Sequence, residues 1–269
     1  MKIGLIGCGR MGRALIEGAI RAGTVKPEDV LAYDIHRPTV EKLVHDQGIT
    51  GTHSISELAE GSEAILLCTK PGDVAGALSE VADATPGDGE KLLISVAAGV
   101  TMAQLEAHTA GKARVIRSMP NTPALVGQGA AAFTTGIGVT EDDEAFASRL
   151  FGSVGQVVTV PEKLMDAVTG LSGSGPAFVY LFIEALADGA VASGLPRDQA
   201  LALATQTVLG AATMVKETGL HPGLLKDMVT SPGGTTIRGI EALESNAFRS
   251  AAIQAVRASS ERSIELGKS

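Results

Sequence analysis

The chain has 269 residues, 45% of them hydrophobic but only 3% aromatic, with no Trp and 33 glycines. That length predicts two domains, with cores built from Ala, Leu, Val and Ile and many tight turns. The net charge of -8 and the lack of any Lys/Arg-rich run exclude the usual nucleic-acid binder, which needs basic residues to neutralise phosphates.

The first half alternates short apolar runs with amphipathic ones. Strands are predicted at Lys2–Ile6, Val30–Tyr33, Ala64–Cys68, Lys91–Ser95, Arg114–Ser118, Ala130–Phe133 and Gln156–Val160. Helices are predicted at Met11–Ala22, Thr39–Gln47, Val74–Ala82, Thr101–His108 and Asp142–Phe151. This alternation is the signature of a parallel sheet with helices on both faces. After Pro161 the strand-like runs stop. Long helical patterns follow at Pro176–Ser193, Pro196–Thr218 and Ala247–Leu266, with a short one from Pro222 to Val229. Much of Pro176–Ser193 is apolar all round, and a domain of about a hundred residues struggles to bury such a helix alone. Burial between two copies of the chain solves this, so a homo-oligomer is expected.

Gly7-Cys8-Gly9-Arg10-Met11-Gly12 is a G-x-G-x-x-G directly after the first strand, and it opens an apolar helix. Gly7 permits the tight turn, Gly9 lets the backbone approach a pyrophosphate, and Gly12 lets helix and strand pack closely. The helix N-terminus then faces the phosphate charge. These residues predict a nicotinamide-dinucleotide site. The second strand ends in Asp34, 22 residues after Gly12. An acid there accepts from the ribose 2′-OH and favours NADH, although a turn or cap role is the competing reading. Arg37 could instead pair with the 2′-phosphate of NADPH, so both cofactors stay open. Thr69-Lys70-Pro71-Gly72 and Met119-Pro120-Asn121-Thr122-Pro123 follow later strands, where ligands of open α/β sheets bind. Thr69, Lys70, Pro71, Asn121 and Thr122 are expected to line the cofactor crevice.

In the helical half, Ser231-Pro232-Gly233-Gly234-Thr235-Thr236 is a small-residue loop feeding a helix. Its N–H groups and hydroxyls suit a substrate carboxylate. An ordinary loop with a capping threonine explains it equally well. Leu171–Pro176 is another glycine-rich stretch, where a close packing contact is at least as good a reading.

Other chemistries leave no trace. The histidines (His36, His45, His53, His108, His221) are scattered, so no metal site is expected, and no Ser-His-Asp arrangement is visible. Cys8 and Cys68 form no CxxC and fit a reducing cytoplasm without a disulfide framework. Met1–Gly7 is too short for a signal peptide's apolar region, and no stretch reads as a membrane span. Ser172–Ser193 lacks the Lys expected of a hydroxyacid dehydrogenase of this layout. Reduction of a basic C=N bond needs less acid–base help than alcohol chemistry, because protonation is easy and positioning does the rest.

The chain resembles the pyrroline-5-carboxylate reductase family over essentially its whole length. The resemblance is carried by Ile6–Gly12, Lys70–Gly72, Ser95–Val100, Met119–Ala124, Ser172–Ala177, His221–Gly223, Leu225–Val229 and, most specifically, Ser231–Thr236. It implies an α/β Rossmann domain (1–161) followed by an all-α dimerisation and substrate domain (162–269). It also implies reduction of L-1-pyrroline-5-carboxylate to L-proline by NAD(P)H, and dimers that often assemble into larger rings. By the same resemblance, the Ser231–Thr236 loop holds the substrate carboxylate, and the Thr236 hydroxyl bonds to the ring nitrogen. Lys70, Asn121 and Thr122 surround the nicotinamide half. Asp34 departs from the small or hydroxylated residue common in NADPH-preferring members and leans the expectation to NADH. The alternatives are another cyclic-imine reductase, or a non-catalytic NAD(P) sensor of the same fold.

Overall fold

The computed structural model describes residues 1–87 and 91–267. In chain order, β1 (Ile3–Ile6), α1 (Arg10–Arg21), β2 (Val30–Tyr33), α2 (Arg37–Gln47), β3 (Thr50–Gly51), α3 (Ile55–Gly61) and β4 (Ala64–Leu67) come first. Then follow α4 (Val74–Asp83), β5 (Lys91–Ser95), α5 (Met102–Thr109), β6 (Ala113–Met119), β7 (Gly129–Thr135), α6 (Glu141–Gly152) and β8 (Gly155–Thr159). The helical part comprises α7 (Met165–Val168), α8 (Gly175–Ala192), α9 (Arg197–Thr218), α10 (Pro222–Met228), α11 (Thr235–Ser245) and α12 (Phe248–Gly267). The chain divides into two compact units, Met1–Ser174 with Ala258–Ser269, and Gly175–Arg257. The expected boundary after Pro161 follows the change from strands to helices, whereas this division continues to Ser174 and returns in α12.

The first unit holds one sheet in the order β3-β2-β1-β4-β5-β6-β7-β8. The chain steps outward from β1 in both directions, so the β1/β4 boundary is a topological switch point. Strands β1 to β6 run parallel, but β7 pairs antiparallel to β6, and β8 then runs parallel to β7. The fully parallel expectation therefore fails at the β8 edge. The reason is local: β6 and β7 are joined by a short segment whose only regular element is a 3-10 turn at Thr122–Val126. A crossover to a parallel neighbour needs a dozen or more residues, usually a helix.

Both faces of the sheet are covered, as parallel strands require. Ile3, Leu5, Leu66, Ile94 and Phe133 point into one cluster with Leu15 and Ile16 of α1 and Phe146 of α6. Ile6, Ile65, Leu67 and Leu93 point into the other, with Leu58, Leu78 and Leu105 of α3, α4 and α5. Alternation along each strand sends neighbours to opposite faces. Capping fixes the helix starts: Thr101 with Gln104, and Thr140 with Asp143, form reciprocal capping boxes at α5 and α6. Asp143 also takes two parallel bonds from Arg114, at 2.7 and 2.9 Å, and its side chain is only 3% exposed. Those bonds hold its carboxyl near about 2.

The second unit differs. Of the 18 residues of α8 only Ala187 is buried by the chain itself, while Leu181 is 67% and Tyr180 60% exposed. The buried cluster here is Ala187, Ala200 and Ala204. The expectation that no stretch is long enough to span a membrane needs correcting. The helical run Glu162–Ala192 is long and apolar enough by length and composition alone. Glu162, Lys163, Asp166, Glu184 and Asp188 punctuate that run, so it is not a continuous apolar stretch.

Candidate active site

The loop after β1 follows from three glycines with three different constraints. Gly7 has φ +97, and a Cβ there would lie 2.7 Å from the Cys68 carbonyl carbon and oxygen. A Cβ on Gly12 would lie 2.2 Å from the Gly7 carbonyl oxygen. Both positions are closed by the protein's own backbone. Gly9 is the opposite case: beyond its own chain neighbours nothing comes within 4 Å of a Cβ there, and its φ of -66 suits any residue. Its bareness makes room outside the chain.

Gly9 is the N-cap of α1 and has no capping side chain, and the first turn carries no acid. The first N–H groups of α1 are thus directed at the space above Gly9 with the positive end of the helix behind them. The end of β2 closes the loop from the side. Gly7 N–H donates to the Tyr33 carbonyl at 2.9 Å. The Asp34 carboxylate accepts from Cys8 N–H at 2.7 Å and from His36 N–H at 2.8 Å. Arg37 donates to the Thr52 carbonyl. Cys8 is buried, and burial with the nearby Asp34 charge pushes its thiol up to about 12, so it is a filler here and not a nucleophile.

The loop after β4 lies beside this cradle, since Ile6 pairs with Leu67 and Cys68 N–H donates to the Ile6 carbonyl at 2.7 Å. Thr69 Oγ1 in that loop is buried without a partner among the described residues. Buried hydroxyls are normally satisfied, so Thr69 is an exception among the described residues. The open backbone at Gly9, the uncapped helix and this hydroxyl together fit a dinucleotide. Lys70 is exposed at the start of a short 3-10 turn that Pro71 opens.

Asn121 is buried, and both ends of its amide are engaged. Nδ2 donates to the Ser172 carbonyl at 3.0 Å, and Oδ1 accepts from Ala130 N–H at 2.8 Å. Thr122 beside it is exposed. Ser172 belongs to a π-helical turn, Thr169–Gly173. Such turns often mark functional positions. The sequence offered this stretch either as a helix entry near the substrate or as a close packing contact, and Gly173 does pack closely, against the end of the Met119 side chain. Sequence reasoning also missed Arg117, buried on β6, which donates to Glu162 at 3.0 Å. Its signal was a second Arg in β6, set beside the apolar pair Val115 and Ile116.

The second unit carries the other predicted loop. Ser231 to Gly234 form a turn closed by Gly234 N–H donating to the Ser231 carbonyl at 3.1 Å. Pro232 takes the second position and Gly233, at φ +69, the third. A Cβ on Gly234 would meet Ser231 Oγ at 2.3 Å. Gly234 is the N-cap of α11 and offers no side chain. The capping-threonine alternative therefore fails, because Thr235 and Thr236 lie inside the first turn. The N-terminal N–H groups of α11 and the Thr236 hydroxyl are left at one exposed helix start.

Residues 162–266 match the family model for pyrroline-5-carboxylate reductase dimerisation, and residues 2–99 match that of the coenzyme F420-dependent NADP oxidoreductases. The chain is 49% identical over 267 residues to the pyrroline-5-carboxylate reductase of Methanosarcina acetivorans, covering 99% of this chain and 98% of that one. The structure of the Coxiella burnetii pyrroline-5-carboxylate reductase superposes with a TM-score of 0.94 at 34% identity, over 100% of this chain and 99% of that one. The Plasmodium falciparum pyrroline carboxylate reductase, solved with NADP bound, gives 0.88 at 34% identity, over 99% and 98%. With a dinucleotide cradle at one end of its sequence and the dimerisation helices at the other, the chain belongs to the pyrroline-5-carboxylate reductase family of NAD(P)-dependent oxidoreductases.

Proposed function

We propose that Gly7–Gly12, Asp34, Arg37, Thr69–Pro71, Asn121 and Thr122 serve the cofactor, and that Ser231–Thr236 serves the substrate, in the reduction of L-1-pyrroline-5-carboxylate to L-proline. The observation that carries the cofactor half is the open Gly9 backbone at an uncapped helix start. When bound, the reduced nicotinamide supplies the hydride. The chain's own residues do the rest. The N–H groups at the start of α1, in the first turn around Arg10 and Met11, hold the pyrophosphate, and Cys8 fills the loop beneath them. Thr69 Oγ1 and Lys70 bind toward the nicotinamide end. Asn121 acts by holding the Thr122 loop to the π turn, since its amide is already engaged.

On the substrate side, the backbone N–H groups of the Ser231–Thr236 loop hold the carboxylate. The Thr236 hydroxyl accepts from the protonated ring nitrogen. That contact orients the C=N carbon for hydride and leaves the proton on nitrogen in the product, so no further acid is needed. This accounts for a site without a Lys or His pair.

On cofactor choice the reading leans to NADH with NADPH also accepted. Asp34 repels a 2′-phosphate, and Arg37 is already engaged with the Thr52 carbonyl. Self-association follows from the dimerisation domain, and the reading extends it to dimers that join into a larger ring. An apolar groove of about 620 Å³ in the second unit, lined by Phe178, Leu181, Phe182, Leu186, Leu243 and Phe248 among others, suits such an interface. Two free thiols suit the cytoplasm.

The test is oxidation of NADH and NADPH in parallel with pyrroline-5-carboxylate. Turnover with both, or mainly with NADH, supports the assignment. Turnover with NADPH alone keeps the reaction and moves selection to Arg37. Cofactor binding without turnover would favour a sensor or another cyclic imine.

A further inference from the structure

The end of β2 grips the phosphate loop more firmly than a ribose-binding residue requires. Cys8 stands between Gly7 and Gly9 in the loop. Its N–H donates to Asp34 Oδ2 at 2.7 Å, and the other oxygen of the same carboxylate accepts from His36 N–H at 2.8 Å. The Tyr33 carbonyl accepts from Gly7 N–H at 2.9 Å and from the Cys8 thiol at 3.6 Å. Bonds to a carboxylate are about twice as strong as neutral ones. One side chain therefore fixes the segment on which the pyrophosphate must land.

Resting on the reading of this loop as a dinucleotide cradle, we propose that Asp34 is a positioning residue that latches the phosphate loop, in addition to selecting at the ribose. Selection and pyrophosphate binding are then one coupled device. The two oxygens of this carboxylate serve both N–H groups at once. Asn would turn an amide donor toward one of them, and Ser is too short to span both. Arg37 has no acceptor and is tied to Thr52. A change at Asp34 that admits the 2′-phosphate thus loosens the loop, and NADPH gains less than the relief of repulsion alone would give.

The test uses the analogue of NADH that lacks the 2′-hydroxyl on its adenosine ribose, titrated against the wild type and Asp34→Ser. The latch predicts that the variant loses about tenfold or more in affinity for this analogue as well as for NADH. If NADH weakens while the analogue binds both proteins equally, Asp34 acts on the hydroxyl alone and the proposal is overturned. Failure of the wild type to bind NADH or NADPH is a different result, which removes the cradle and the latch with it. Amide hydrogen exchange at Cys8 in ligand-free protein gives a second measurement. It should accelerate about tenfold or more in Asp34→Ser while the β1 amides stay protected. Unchanged exchange at Cys8 refutes the latch even if the variant binds poorly.

Discussion

Gly9→Ala separates the cofactor site from the fold. The backbone at Gly9 has φ -66 and ψ -173, an ordinary conformation for alanine, and beyond its own chain neighbours no atom lies within 4 Å of the new methyl group. Alanine at an N-cap costs several tenths of a kcal/mol, and the smaller entropy of its unfolded chain returns about 0.4–1 kcal/mol. The melting temperature should therefore move by no more than about 2 °C. Binding is another matter. The methyl group occupies the space through which the pyrophosphate approaches the α1 N-terminus. Losing two charge-assisted bonds at about 1.5–3 kcal/mol each weakens the cofactor by roughly 10²–10⁴-fold. Gly12→Ala is the contrasting variant. Its methyl group meets the Gly7 carbonyl oxygen at 2.2 Å and Leu5 at 2.9 Å, so it should lower the melting temperature as well. Fluorescence titration with NADH and NADPH, beside a thermal melt, reads both quantities. If Gly9→Ala binds both cofactors within about twofold of wild type, the loop is not the pyrophosphate cradle.

Three further outcomes are expected. Thr236→Ala should cost about 1.5–3 kcal/mol in kcat/KM with pyrroline-5-carboxylate and leave cofactor affinity unchanged; wild-type kcat/KM removes Thr236 from the mechanism. Asp143, lowered from 3.8 to about 2, contributes about 2–2.5 kcal/mol that is fully present above the ordinary carboxylate range and is lost as pH falls from about 4 through 2. Asp143→Asn should destabilise by about 3–5 kcal/mol and flatten that part of the acid profile, and parallel profiles for the two proteins would show the assignment to be wrong. Leu181→Glu puts a charge on the exposed apolar face of α8 and should shift the protein to monomers in sedimentation, whereas an unchanged assembly would exclude this face from the interface.

What the sequence disclosed depended on how local the cause was. β1, α1 and the glycine loop were legible because the glycine spacing sits directly between an apolar strand and an apolar helix, although the contact that closes Gly7 comes from Cys68. The long helices were legible from Gly194 and Gly219, whose positive φ values end α8 and α9. The reversal of β7 was not, because strand direction depends on what joins β6 to β7, and only the missing helical pattern at Thr122–Val126 hinted at it. The two-ended grip of Asn121 links residues 51 apart in the chain, and the Cys8–Asp34 bond links residues 26 apart. Spacing can place such residues at one sheet end but cannot say which atoms meet. At Gly234 the structure places the N-cap on a glycine, so both threonines lie inside the helix, which sequence alone did not distinguish.

The two units also differ in where their stability originates, and this bears on function. The sheet unit closes two clusters of large aliphatic and aromatic side chains around itself. The helical unit buries three alanines and leaves Tyr180, Leu181, Leu203 and Leu209 more than half exposed. Ordering a residue costs about 1–2 kcal/mol of backbone entropy, which so small a cluster does not offset. Pairing through the dimerisation helices supplies the missing burial, so the stability of this unit is linked to protomer concentration. The loop Ser231–Thr236 is carried by that unit, and the glycine cradle by the other. Dilution that separates protomers should therefore abolish imine reduction before it abolishes cofactor binding, and substitutions on the α8 face should raise the concentration at which activity is lost without altering the affinity for NADH.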